Sequence, residues 1–69
     1  MYLINGYNIK EFETKDQALD HIKKDVEQYN LNVQLVYHKV EKNLEIYIYQ
    51  YHTLYMETYV LLNELNIRK

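Results

Sequence analysis

Apolar and polar residues alternate along the first twelve positions as they do in a β-hairpin. Asn5-Gly6 separates the two alternating segments, and this dipeptide is the strongest short signal for a two-residue turn, because both turn positions need positive φ. The register then sorts the side chains onto two faces, Tyr2, Ile4, Tyr7 and Ile9 against Leu3, Asn8 and Lys10. We predict strands over about 1–4 and 7–12.

The next segment has the spacing of an amphipathic helix. Thr14 and Gln17 form a capping box, in which each side chain satisfies a backbone donor of the first turn. Apolar residues then recur at helical spacing, at Ala18, Leu19, Ile22, Val26 and Tyr29. Asn30 tolerates the left-handed conformation common at helix ends. A helix is predicted over about 15–29.

Period-two alternation returns in residues 32–40 and 44–51, which predicts a second hairpin. In the later strand, Leu44, Ile46 and Ile48 lie on one side and Tyr47, Tyr49 and Tyr51 on the other. Two registers remain open. A two- or four-residue loop places Val40, His38 and Val36 opposite Glu45, Tyr47 and Tyr49; a three-residue loop with a bulge at Asn43 joins the tyrosines to Tyr37, Leu35 and Val33.

Residues 53–66 are apolar on nearly every side, and they predict a second helix buried on more than one side. Thr53 would begin this helix and Asn66 would end it. A single helix from Leu44 onward is the rival prediction, because no breaker intervenes. The strict alternation of isoleucine and tyrosine over 44–51 favours a strand instead.

The predicted fold class is therefore α+β, with the order ββαββα in a single domain spanning 1–69. Four strands form one antiparallel sheet, and both helices pack on one of its faces. The predicted core consists of Leu19, Ile22, Val26, Ile46, Ile48, Leu61 and Leu65. Tyr47, Tyr49 and Tyr51 would then lie on the open side of the sheet.

Composition and charge indicate the cellular compartment, the classes of partner and the source genome of the protein. The chain has no Cys, its net charge is −2, and no apolar run approaches the ~20 residues of a membrane span. These features predict a cytoplasmic protein without a membrane partner, and the charge disfavours nucleic acid. Seven Asn, seven Lys and nine Tyr against one Gly, one Ala and one Arg indicate an AT-rich genome, such as that of a phage or mobile element.

Residues that could support catalysis are scarce. Ser and Cys are absent, and no glycine-rich phosphate loop is present. His21 and Asp25, four residues apart, are the local candidate for a metal pair, but a solvated helix contact is the commoner role of such a pair. We expect a protein that is not an enzyme and has no cofactor or metal.

The excess of tyrosine is the feature that most suggests a function. Tyr47, Tyr49, Tyr51, Tyr55 and Tyr59 would form a partner-binding surface, since tyrosine supplies rigid amphipathic contact area. We expect a small protein-binding domain that acts as an inhibitor or regulator of a host or defence protein. We also expect a two-fold homodimer. The alternatives are a single-stranded nucleic-acid binder that stacks bases on these tyrosines and a purely structural homodimer.

Overall fold

A computed structural model describes residues 1–28, 33–52 and 55–63 of the chain. Its elements, in order, are β1 (Tyr2–Asn5), β2 (Asn8–Glu11), α1 (Lys15–Glu27), β3 (Gln34–Val40), β4 (Leu44–His52) and β5 (Tyr55–Leu62). The strands form one antiparallel sheet in the order β2-β1-β5-β4-β3. The prediction of four strands and two helices is wrong, because the described residues form five strands and one helix.

The last strand is the main correction. Residues 53–66 were expected to be helical, but β5 is the central strand of the sheet and pairs with both β1 and β4. A central strand has hydrogen-bonded neighbours along both edges, and Tyr59, Val60, Leu61 and Leu62 give β5 apolar side chains on both faces, as in a buried helix. Its Thr58, Tyr59 and Val60 favour a strand. Leu65 and Asn66 lie outside the described residues.

The first hairpin forms one step further along than Asn5-Gly6 predicts. Asn5 pairs with Asn8, so the two turn residues are Gly6 and Tyr7. Gly6 has φ +63°, the left-handed value that the first position of a primed hairpin turn requires. Ile4 consequently pairs with Ile9, two residues from the predicted partner. A slip of two residues preserves the faces, because side chains alternate with period two.

The predicted start of the helix is confirmed. Thr14 Oγ1 accepts a hydrogen bond from the Gln17 backbone N–H at 3.2 Å, and the Gln17 side chain accepts from the Glu13 N–H at 3.1 Å. Asp20 and Lys24 form an ion pair at 3.2 Å on the exposed side. The helix ends at Glu27 rather than 29. The predicted roles of Tyr29 and Asn30 lie outside the described residues.

The core lies between α1 and the three middle strands. It consists of Leu3, Ala18, Ile22, Val26, Tyr47, Tyr51, Tyr59 and Leu61, with Met1, Phe12, Leu19, Val33 and Tyr49 packed against it. Burial of Ile22, Val26 and Leu61 is confirmed, and Leu19 is partly buried. Ile46 and Ile48 were predicted to join this core and do not. They lie on the opposite face of the sheet, because Tyr47 between them points toward α1.

One of the two open registers of the second hairpin is confirmed. Val40 pairs with Glu45 and His38 with Tyr47, as an even-numbered loop requires. Further from the turn the register shifts at a bulge between Leu35 and Tyr37. Leu35 therefore takes the place opposite Tyr49 that the regular register would give to Val36.

Candidate protein interface

The five tyrosines predicted to bind a partner divide into buried and exposed residues. Tyr47, Tyr51 and Tyr59 are 8%, 1% and 1% exposed, Tyr49 is partly buried against the core, and Tyr55 is 49% exposed. The structure does bring Tyr47, Tyr49 and Tyr51 onto one face, as the alternation predicts. That face lies beneath α1, so the prediction that it is the open side of the sheet is wrong.

Ring contacts hold these tyrosines together. Tyr49 meets Tyr59 edge-on with ring centroids 5.9 Å apart, and the rings of Tyr51 and Tyr55 lie 5.4 Å apart. Such pairs stabilise a core beyond the area that they bury. Contact of these residues with a partner remains a prediction. Tyr55 has the largest exposed fraction of the five from which to make such a contact.

The hydroxyl of Tyr47 is part of a polar link between the helix and the sheet. It donates to Glu45 Oε1 at 2.6 Å, and Lys15 Nζ donates to Glu45 Oε2 at 2.7 Å. The hydrogen bond from Lys15, followed by that from Tyr47, lowers the pKa of the Glu45 carboxyl below its usual value. The link fixes the first turn of α1 to β4.

Asp25 provides the corresponding link at the other end of the helix. Its Oδ2 accepts a hydrogen bond from the Tyr59 hydroxyl, and its Oδ1 accepts one from Gln28 Nε2 at 2.8 Å. Burial, and then this hydrogen bond to Asp25, holds the pKa of the Tyr59 phenol well above its usual range. Tyr59 therefore acts as a structural donor, since its proton is retained at any physiological pH.

The opposite side of the sheet, here called the open face, is covered by no element of the described chain. Strand alternation and pairing place ten apolar side chains on it: Tyr2, Ile4, Ile9, Tyr37, Leu44, Ile46, Ile48, Met56, Val60 and Leu62. Ile9, Tyr37 and Met56 are strongly exposed. The rest are half-buried by their neighbours in the sheet.

The apolar residues of the open face are aligned in rows across adjacent strands. Val60 at the centre pairs with Ile4 of β1 and Ile46 of β4, and Leu62 pairs with Tyr2 and Leu44. The same alternation places Glu11, Gln34, Lys39 and Gln50 on edge strands or near strand ends, and Thr58 within β5 beside Ile48. An apolar centre with a polar surround is the arrangement found at protein–protein interfaces.

The two edges of the sheet are less suited to binding another strand. β2 has only four residues, and β3 carries the bulge and Lys39. Short length, a bulge and a lysine each discourage edge-to-edge pairing. Lys39 pairs with Glu41 at 2.9 Å, and the hydrogen bond to Glu41 raises the pKa of this lysine.

One cluster of titratable residues surrounds a cavity on the helix side, in the described part of the chain. A cavity of about 160 Å³ is lined by Leu3, Asn5, Asn8, Lys10, His21, Asp25 and Tyr59. The oxygens of Asp25 already accept hydrogen bonds from Tyr59 and Gln28, and the His21 ring lies 5.4 Å from that of Phe12. Among the described residues, no group of three or more His, Cys, Asp or Glu could hold a metal ion.

Sequence reasoning missed the residues of the open face. It assigned Ile46 and Ile48 to the core and left Val60 within a helix. The available signal was that both faces of 44–51 are large and apolar, so one of them had to remain uncovered in a two-layer fold. Which of the two faces stays uncovered depends on the side of the sheet on which α1 packs.

Comparison with family models, with curated proteins and with solved structures gave no significant match. No helix within the described ranges is long and apolar enough to cross a membrane.

Proposed function

We propose that this chain is a small, non-catalytic protein-binding domain that docks onto its partner through the open face. The observation that carries the proposal is the pair of aligned apolar rows, centred on Val60 and Leu62, with no covering layer in the described part of the chain. A contiguous apolar patch of this kind is costly to leave in water and marks interaction sites.

A protein surface fits the open face better than a small molecule or a nucleic acid does. Small ligands need a concave pocket, whereas the apolar row through Val60 runs across four adjacent strands of a sheet face. Nucleic acids need clustered cations, whereas the net charge is −2 and Lys39 already pairs with Glu41. No observation favours base stacking on Tyr47 and Tyr51, because both lie beneath α1.

Binding of this kind works by occlusion. A domain that covers part of a partner's surface blocks access to it without chemistry of its own. This is how a small phage or mobile-element protein would inhibit or regulate a host or defence protein, as the AT-rich composition suggests. Near-neutral charge suits such contacts, because they depend on apolar area more than on steering.

Photo-crosslinking from two adjacent positions of β5 tests the proposal. Met56 lies on the open face, and Tyr55 is exposed on the side of α1. Each residue is replaced in turn by a photoreactive phenylalanine analogue, and the chain is irradiated in its native cells. We expect a covalent adduct with a protein from position 56 and not from position 55.

The same two variants also give the results that would contradict the proposal. An adduct from position 55 alone would move the binding surface to the exposed tyrosine and overturn docking through the open face. The absence of a protein adduct from both positions would overturn the protein-binding function itself.

A further inference from the structure

We propose that the occupant of the open face is a second copy of this chain, packed face to face around a two-fold axis that passes close to Val60. This inference rests on the proposed function of the open face as a docking surface, and it makes a second copy, in place of a host or defence protein, the occupant of that face. The result is a two-layer sandwich of sheets with one α1 on each outer side.

The first support is area. Five strands spaced ~4.8 Å apart, with lengths of four to nine residues, give a face of roughly 500–600 Å². Two copies would bury on the order of 1,000–1,200 Å² in total, which meets the ~1,000 Å² that a specific interface needs. The side chains stand out from the sheet, so the true area is larger than this flat projection.

The second support is symmetry. β5 is the central strand, with two strands on either side, and Val60 lies in the middle of its apolar row. A two-fold axis parallel to β5 at this centre places Val60 over Val60 and Ile46 over Ile4 of the partner copy, with Lys39 and Ile9 meeting at the ends of the row. Isologous contacts of this type are the commonest way in which a single surface patch is buried.

The third support is the size of the core. The buried core of the described chain contains eight residues and lies on one side of the sheet. A chain of 69 residues buries a modest fraction of its surface, so small domains often rely on a partner subunit. Sheets packed face to face, about 10 Å apart, would add a second apolar layer.

Two matched Val→Lys variants test the inference by light scattering. Val60 lies at the centre of the open face, while Val40 is exposed and lies on the side of α1. At about 50 µM, wild type and Val40→Lys should have twice the 8.5 kDa mass of the chain, and folded Val60→Lys should have the single mass. A wild-type monomer, or a folded Val60→Lys dimer, would overturn the second copy as occupant.

Crosslinking keeps the test decisive if Val60→Lys does not fold. The chain has no Cys, so Val60→Cys and Val40→Cys each introduce one thiol. A short bismaleimide should join two Val60→Cys copies and leave Val40→Cys monomeric. Failure of Val60→Cys to form a covalent dimer overturns the inference, whereas a photo-adduct of Met56 with a different protein would still support docking through the open face.

Discussion

The hydrogen bonds of individual tyrosine hydroxyls explain how the core can contain so many tyrosines. Tyr47 donates to Glu45 and Tyr59 to Asp25, so the phenols of these two buried tyrosines end on carboxylates supplied by the same strand and by the helix. A buried hydroxyl without a partner would cost about 1–3 kcal/mol and offset much of what its ring gains. The carboxylates therefore allow the large rings to fill the space under the small and branched side chains of α1.

Loss of the Tyr59 hydroxyl should destabilise the fold. Tyr59→Phe keeps the ring and removes the donor to Asp25, which is half-buried. We expect a loss of about 2 kcal/mol in the free energy of unfolding, the usual scale for a hydrogen bond to a charged group. Urea denaturation measures this loss. The control is Tyr7→Phe at the fully exposed turn, which should change stability little; equal effects of the two variants would contradict the role of Asp25.

The carboxyl of Glu45 should make stability depend on pH in the acid range. Its pKa is lowered from the usual 4.5 in the folded chain, so its contribution is present above about pH 4.5 and is lost as the pH falls through the folded-state value. Glu45→Gln should therefore be less stable than wild type at pH 7, and the difference should vanish in strong acid. Denaturation curves at several pH values measure it.

Glu27→Gln on the exposed side of α1 is the control for this pH series. It should follow the wild-type curve throughout. A constant difference between wild type and Glu45→Gln at every pH would show that shape, and not ionisation, determines the effect.

The choice of buried face could not be read from local sequence. Ile46/Ile48 and Tyr47/Tyr49 alternate on one strand, and both sets are large enough to form a core. The choice depends on Asp25 and Lys15, which lie on α1 and reach the sheet only after folding. Similarly, Leu3 faces α1 because it pairs with Leu61, at the far end of the described chain.

At the scale of elements, the sequence predicted correctly those features that depend on residues close together in the chain. The Thr14/Gln17 capping box and the helix start depend on groups within four residues, and both were predicted correctly. The Asn5-Gly6 signal identified the hairpin but missed its turn by one residue. β5 was missed because a central strand and a buried helix have the same apolar composition, and only distant neighbours distinguish them.

A designed disulfide tests β5 as a strand. Ile48 and Thr58 are paired neighbours on the open face, so Ile48→Cys with Thr58→Cys should form an intramolecular disulfide on mild oxidation. In a continuous helix these positions would be about 15 Å apart. Mass spectrometry under non-reducing conditions detects the bond.

A pair shifted by two residues is the matched control. Ile46 pairs with Val60, so Ile46→Cys with Thr58→Cys is out of register and should stay reduced. Equal oxidation of both pairs would mean that β4 and β5 do not hold the observed register.

At the scale of the whole molecule, the strand order determines where stability is concentrated. β5 has hydrogen-bonded neighbours on both sides, whereas β2 and β3 form the edges and all their residues are exposed. Local opening begins where few contacts hold the chain. The sheet should therefore open from its edges and retain its centre longest.

Amide hydrogen exchange should follow this order. We expect the slowest exchange at the paired amides of β5 around Val60 and the fastest among strand amides in β2 and at the β3 bulge. NMR exchange rates at neutral pH measure this. Protection of β2 equal to that of β5 would contradict the gradient.

The central position of β5 has a consequence for assembly. Strands β1 and β2 form one hairpin, and β3 and β4 form another, but neither hairpin touches the other within the sheet. β5 is the last described strand to be synthesised and the one that joins them, so until it pairs, a gap one strand wide separates β1 from β4. A peptide covering 55–62 should act as a donor strand that fills it, and two copies of the chain could exchange their donor strands in the same way.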